Sequence, residues 1–109
     1  MTMPLHLLAA TLLAFAPPTP DYQSGVAPLL KKYCAGCHGA EEPEGDFSLA
    51  TYDALRKGGG RGPAIAPGDP QKSLMVRLMT GRGKPLMPPK GEPKPSAEEI
   101  ARIESWIAA

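Results

Sequence analysis

The sequence predicts a small all-α domain, and three observations support that fold class. Four segments carry apolar residues at the i, i+3, i+4 spacing of an amphipathic helix. No segment alternates convincingly between apolar and polar residues, as a half-buried strand would. The 12 glycines and 14 prolines of the 109-residue chain separate these segments, so we expect about four short helices joined by long Gly/Pro-rich loops.

Each predicted helix has an apolar face and a recognisable start or end signal. In chain order these helices cover Val26–Tyr33, Ser48–Arg56, about Asp69–Thr80 and a C-terminal segment that follows Ser96. Pro28 fits the first turn of the first helix, and a glycine run ends the second. Asp69 and Pro70 form an N-cap followed by a proline, while Ser96 and Glu99 form a capping box.

The first twenty residues contain no Lys, Arg, Asp or Glu, and the apolar run 5–16 ends in an A-x-A pattern. This composition predicts a signal peptide over residues 1–16, a flexible arm over 17–25 and one folded domain over 26–109. We therefore expect an exported, periplasmic protein; an uncleaved leader would instead tether the chain to a membrane. The apolar run is shorter than the ~20 residues of a spanning helix, so no transmembrane span is expected in the mature chain.

The charge balance argues against a nucleic-acid-binding function. Twelve Lys and Arg residues against eleven Asp and Glu leave a formal net charge of +1, which offers no excess positive charge to a phosphate backbone. The charges are nevertheless unevenly spread. Acidic residues cluster within 41–46, whereas basic residues cluster within 82–94.

A chain of this size with 6% aromatic residues buries little apolar surface against the entropy of ordering its loops. We therefore expect a covalent cross-link or a cofactor to stabilise the fold. The only two cysteines, Cys34 and Cys37, lie in a C-x-x-C-H run that ends at His38. This run is the attachment motif of a c-type haem, in which both thiols form thioethers and the adjacent imidazole binds the iron.

Two other interpretations of the cysteines stay open: a redox-active dithiol or plain disulfide, and a zinc site. A redox-active dithiol would need a helix after the motif, but Gly39 and the stretch 41–43 break any helix there. A zinc site needs four ligands, and the motif supplies three crowded ones. An exported chain favours the haem interpretation.

Met87 is the predicted second axial ligand of the iron. It lies in a segment rich in Gly and Pro, where no helix forms, and Pro88 restricts its backbone to an extended geometry. A thioether opposite a histidine raises the reduction potential, whereas an open position would permit ligand binding. Met75 and Met79 instead lie in a periodic segment, which is typical of core residues on a helix.

With these residues identified, the chain resembles class I cytochromes c, and more closely the small cytochrome c domains of planctomycete proteins. The resemblance covers roughly residues 26–107 and rests on the segments 34–39, 58–59, 62–70, 73–74, 87–91, 99–100 and 106–107. It implies a cytochrome c-like fold wrapped around one covalently attached haem c. Cys34 and Cys37 would carry the thioethers, and His38 and Met87 would bind the iron.

The resemblance also implies that the carbonyl of the Gly62–Pro63 element accepts a hydrogen bond from the proximal histidine. Such an acceptor would orient the ring and raise its basicity. We therefore include Pro63 among the predicted cofactor-binding residues, together with Arg61, which would pair with a haem propionate.

The leading functional hypothesis is a one-electron carrier outside the cytoplasm, not an enzyme, that exchanges electrons with redox protein partners and takes no small-molecule substrate. Basic residues around Met87 would steer an acidic partner. Two alternatives are a haem peroxidase or gas sensor, with Met87 displaced from the iron, and a haem module that passes electrons to a separate enzyme.

Overall fold

The structure, a computed structural model, describes residues 20–109, and the regular secondary structure of this part of the chain is helical. Its α-helices are α1 (Ala27–Tyr33), α2 (Tyr52–Lys57), α3 (Leu74–Met79) and α4 (Ala97–Ala108). A π-helical turn at Tyr22–Val26 precedes α1, and 3₁₀ turns lie at Glu44–Asp46 and Pro70–Lys72. Within residues 20–109 the one strand-like pairing is an isolated bridge between Gly59 and Gly62. The predicted all-α class is therefore confirmed for this part of the chain.

The predicted capping signals act as expected at two helices. The Ser96 side chain accepts from the Glu99 backbone N–H at 3.1 Å, and the Glu99 carboxylate accepts from the Ser96 N–H at 2.9 Å. This capping box begins α4. At the end of α2, the Gly58 N–H donates to the carbonyl of Ala54. The backbone of Gly58 has a φ of 77°, which suits a residue without a Cβ.

Three predicted boundaries differ from the structure. The second helix was predicted over Ser48–Arg56, but α2 begins at Tyr52, because the Thr51 backbone is extended and its side chain caps the helix. Tyr22–Val26 was expected to lie mostly in a loose arm, yet it forms a helical turn capped by the Asp21 side chain. The predicted helix over Asp69–Thr80 is divided by Ser73, whose backbone is extended and whose buried hydroxyl donates to the Asp69 carbonyl at 2.9 Å. The predicted signal peptide, residues 1–16, lies outside the described residues.

The hydrophobic core lies where the helices meet. It consists of the buried apolar side chains of Val26, Leu29, Leu30, Leu55, Ala64, Ile65, Val76, Ile103 and Ile107. Half-buried residues pack around it, among them Tyr33, Phe47, Met75 and Met79. We find no helix among residues 20–109 that has both the length and the apolarity to cross a bilayer.

The N-terminal turn is held against α2 and α4 by aromatic side chains. The Tyr22 ring lies 5.0 Å from that of Tyr52 and 5.2 Å from that of Trp106, measured between centroids. Such edge and tilted pairs stabilise a contact by about 1 kcal/mol beyond area burial. The aromatic partners of Trp106 are therefore Tyr22 and Tyr52.

Candidate cofactor site

A cavity of about 580 Å³ opens between the C-terminal end of α1 and the segment that contains α3 and residues 81–95. Its volume lies in the range typical of small-molecule and cofactor sites, about 300–1,000 Å³. Its wall is mainly apolar, and it includes the side chains of Tyr33, Phe47, Leu49, Leu74, Leu78 and several prolines. Several of these residues also pack on the core, so the cavity is a second apolar face of the same helices.

The end of α1 places both cysteines on the cavity wall. The Cys34 N–H donates to the Leu30 carbonyl at 2.9 Å, and the His38 N–H donates to the Cys34 carbonyl at 3.1 Å. The motif thus forms a compact turn that continues directly from the helix. Cys34 is half-buried, Cys37 is exposed, and the two are not joined by a disulfide.

The Cys34 thiol is not activated as a nucleophile. Burial, followed by the nearby Cys37 thiol, raises the pKa of Cys34 to about 11. Redox-active cysteines in C-x-x-C motifs instead have lowered pKa values, because the thiolate is the reactive form. The local environment therefore disfavours the dithiol interpretation.

His38 lies on the same wall, and the Phe47 backbone fixes the orientation of its ring. Its Nδ1 is 3.0 Å from the Phe47 carbonyl oxygen. A carbonyl can only accept, so Nδ1 carries the proton and Nε2 keeps a free lone pair. The Phe47 ring also packs on the imidazole, with centroids 5.1 Å apart and planes at 59°. This is the arrangement of a metal-binding histidine with an orienting acceptor.

The prediction that the Gly62–Pro63 carbonyl accepts the hydrogen bond from His38 is therefore wrong. Pro63 is exposed and is not part of the cavity wall. Phe47 takes this role because the chain reverses direction at Glu44–Asp46 and returns to the motif, where the Leu49 N–H donates to the His38 carbonyl at 2.7 Å. No spacing or periodicity in the sequence indicated this acceptor.

Met87 lines the cavity from the Gly/Pro-rich segment, which we call the distal wall, and is half-buried. Its N–H donates to the Leu78 carbonyl at 3.0 Å, which attaches the segment to the end of α3. Met75 and Met79 line the same cavity. They also pack on the core, as predicted, but their spacing did not indicate that they line the cavity as well.

Arg61 also lines the cavity, close to its opening. Its Nη1 donates to the Lys84 carbonyl at 2.8 Å, so it connects the turn at 58–62 to the segment that contains Met87. The expected pairing of Arg61 with a propionate stays a prediction. The bond to Lys84 gives this side chain a structural role that sequence reasoning missed.

The residues present fit a covalently attached haem. Two thiols and an imidazole face an apolar cavity from one wall, and thioethers face it from the other. Within residues 20–109 there is no group of three or more His, Cys, Asp or Glu side chains arranged to hold a metal ion, so the zinc interpretation has no ligand set there. A small helical domain with a C-x-x-C-H turn on an apolar cavity defines the class of c-type cytochromes.

Comparison with protein families identifies the group within that class. The sequence model of the family described as Planctomycete cytochrome C matches residues 34–91, just over half of the 109-residue chain. The chain belongs to this family. The matched region begins at Cys34 and ends shortly after Met87, so it contains both walls of the cavity. Neither the curated proteins nor the solved structures compared with the chain give a significant match.

Proposed function

We propose that this protein is a mono-haem cytochrome c that carries single electrons outside the cytoplasm, with its iron bound by His38 and Met87. Family membership supports a haem c and electron transfer. The observation that carries the finer proposal is the cavity itself. Cys34, Cys37, His38 and Met87 all line it, together with many apolar side chains.

Each of these side chains has a distinct role. Cys34 and Cys37 would form thioethers, which fix the macrocycle to the end of α1. His38 would bind through Nε2, since the Phe47 carbonyl engages Nδ1. Met87 would bind through its sulfur. The bound haem supplies reversible one-electron chemistry between Fe(III) and Fe(II), and no substrate bond is made or broken.

The protein sets the conditions under which that chemistry proceeds. The mainly apolar wall excludes water and lowers the local dielectric, which disfavours the more highly charged oxidised state. The Phe47 carbonyl acts in the opposite direction, because it makes the imidazole a stronger donor to the oxidised metal. A Met87 thioether again favours the reduced state. The balance of these contributions determines the reduction potential.

The predicted signal peptide supports a location outside the cytoplasm, in the periplasm of a bacterial cell. Arg82, Lys84, Lys90 and Lys94 are exposed beside the wall that carries Met87. We propose that this basic surface guides an acidic redox protein to the cavity opening, since opposite charges accelerate encounter. Raising the ionic strength should then slow electron exchange with such a partner.

A visible spectrum of the purified, haem-loaded protein tests the proposal. We expect a low-spin spectrum and, in the oxidised state, a weak sulfur-to-iron charge-transfer band near the red edge. A high-spin spectrum, or rapid binding of peroxide or carbon monoxide at the iron, would favour the peroxidase or gas-sensor alternative. Mass spectrometry of the periplasmic product reports both the haem adduct and the mature N-terminus; an intact leader would contradict the proposed cleavage.

A further inference from the structure

We propose that Gly59 is a positioning residue for the proximal ligand. Because Gly59 has no side chain, the turn at residues 58–62 lies directly against the Gly45–Phe47 backbone and holds the Phe47 carbonyl on His38. The inference rests on the proposed function, in which His38 binds the iron. It extends that proposal to a residue that takes no part in the C-x-x-C-H motif and forms no hydrogen bond with the imidazole.

The segment that presents the Phe47 carbonyl is attached to the motif on both sides. The Glu44 N–H donates to the Cys37 carbonyl at 2.9 Å, and the Leu49 N–H donates to the His38 carbonyl at 2.7 Å. Phe47 lies between these two attachments. The position of its carbonyl oxygen therefore depends on what supports residues 45–47 from the side away from the motif.

The turn at 58–62 provides that support. The Gly60 N–H donates to the Gly45 carbonyl at 2.8 Å. An ideal Cβ at Gly59 would lie 2.6 Å from the Gly45 carbonyl oxygen, 2.7 Å from Phe47 Cβ and 3.1 Å from Phe47 Cα. These atoms belong to the backbone or are attached directly to it, so no side-chain rotation relieves the overlap. A side chain at position 59 must push residues 45–47 away from the turn.

Displacement of residues 45–47 has a defined consequence for the iron. A weaker bond from His38 Nδ1 to the Phe47 carbonyl makes the imidazole a poorer donor to the metal. The oxidised state depends more on that donation than the reduced state does, so the reduction potential rises. The freed Nδ1–H also exchanges faster with solvent, because it spends more time unbonded.

Gly60 offers a matched control at the adjacent position. An ideal Cβ there would lie 3.5 Å from the same Gly45 carbonyl oxygen, which is ordinary van der Waals contact. Neither glycine has a positive φ. Alanine at either position therefore removes a similar amount of backbone freedom from the unfolded chain, and only Gly59→Ala introduces the overlap.

The experiment compares the haem-loaded wild-type protein with Gly59→Ala and Gly60→Ala. We expect Gly59→Ala to have a more positive reduction potential than either of the others. In NMR spectra of the reduced proteins, its His38 Nδ1–H should exchange roughly five-fold faster or more. Gly60→Ala should match the wild type in both measurements. Equal potentials and exchange rates in the two variants would overturn the proposal.

The wild-type protein provides a decisive measurement if Gly59→Ala does not retain haem. A His38 Nδ1–H that is protected from exchange then supports the proposal, and one that exchanges as fast as an exposed imidazole N–H overturns it. Failure of the proposed function looks different. A colourless or high-spin wild-type protein contradicts the electron-carrier assignment, whereas a low-spin wild type with an unaffected Gly59→Ala variant contradicts only the role of Gly59.

Discussion

The two walls of the cavity are built in different ways. The proximal segment, residues 34–49, contains the cysteines, His38 and its acceptor within one short stretch, and its bonds run between near neighbours. The distal segment, residues 81–95, is attached by one contact of similar span and by one from a residue 23 positions away in the chain. Met87 donates to the Leu78 carbonyl at 3.0 Å, and Arg61 donates to the Lys84 carbonyl at 2.8 Å.

The two walls also differ in the number of side chains that could bind the iron. The proximal wall presents one imidazole, whereas Met75, Met79 and Met87 all line the cavity. When a ligand is positioned by its own neighbours in the sequence, substitutions elsewhere in the chain do not remove it from its site. A ligand held by long-range contacts is open to adjustment by every residue that makes those contacts. Loss of the proximal attachment residues should therefore have a larger effect than loss of the distal ligand.

The largest effect is expected from replacing both Cys34 and Cys37 with alanine. Without thioethers the haem has no covalent attachment. The apolar cavity is then left without the haem that would fill it. We expect no haem-linked product and a large loss of stability, since domains of this size bury little apolar surface on their own. Mass spectrometry after denaturation and thermal unfolding measured by circular dichroism check both outcomes.

Single substitutions at Cys34 and Cys37 serve as controls. Each leaves one thioether, so haem should remain attached in part. Full covalent attachment in the double variant would contradict the role assigned to the cysteines.

The next largest effect is expected on the distal side, from Met87→Leu. Leucine keeps a similar volume but offers no sulfur, so the charge-transfer band should vanish and the iron should become partly high-spin. The potential should fall by on the order of 0.1 V or more, within the ~0.8 V range over which axial ligands act. A visible spectrum and a redox titration provide the measurements.

Met75→Leu and Met79→Leu are the matched controls, because both residues line the same cavity from α3. We expect both variants to keep the band. If the band instead persists in Met87→Leu and vanishes in Met79→Leu, helix α3 supplies the ligand.

The difference between the walls also explains how far the sequence could predict the site. The motif was identified from its spacing alone, and the structure places Cys34, Cys37 and His38 on the cavity wall. Local signals also predicted the capping box of α4 and the glycine that ends α2. In each case the contacts that determine the feature join residues only a few positions apart in the sequence.

Features that depend on how the irregular segments fold and pack were missed or misassigned. The histidine acceptor was assigned to Gly62–Pro63, but the chain reversal at Glu44–Asp46 brings Phe47 there instead. The close approach of Gly59 to Gly45 joins segments that are well separated in sequence. No periodicity or spacing reports such an approach, because it depends on how loops pack.

A smaller effect is expected from Arg61→Leu, which removes the bond between the turn at 58–62 and the Lys84 carbonyl. One exposed hydrogen bond stabilises the distal segment by about 1 kcal/mol or less. Added imidazole should therefore displace Met87 up to about five-fold more readily. Titration of the oxidised protein with imidazole, followed in the visible spectrum, measures this change.

Arg102→Leu is the control for the loss of a positive charge, because Arg102 is exposed on α4 and is not part of the cavity wall. It should leave imidazole binding unchanged. An equal increase in both variants would show that net charge, and not the bond to Lys84, controls access to the iron.

The smallest effect is expected at the junction of the proximal wall with α4. The Tyr33 hydroxyl donates to Glu99 Oε1 at 2.8 Å. The Ser96 backbone N–H, and after it this hydroxyl, hold the pKa of Glu99 below its ordinary value. A carboxyl whose pKa is lowered in the folded state stabilises the protein above its unfolded pKa and loses that contribution as the pH falls through the folded pKa.

Tyr33→Phe removes the second of these two influences on the carboxyl, so the pKa of Glu99 should move part of the way back toward its ordinary value. The variant should be slightly less stable than the wild type at neutral pH, and the difference should close in acid, below the folded pKa of Glu99. Denaturant unfolding at neutral and acidic pH measures both. In the Glu99→Gln background the pH dependence of the Tyr33→Phe effect should disappear, and its persistence there would assign it to another group. The capping bond from Ser96 is unaffected by the tyrosine, so α4 should keep its starting residue in every variant.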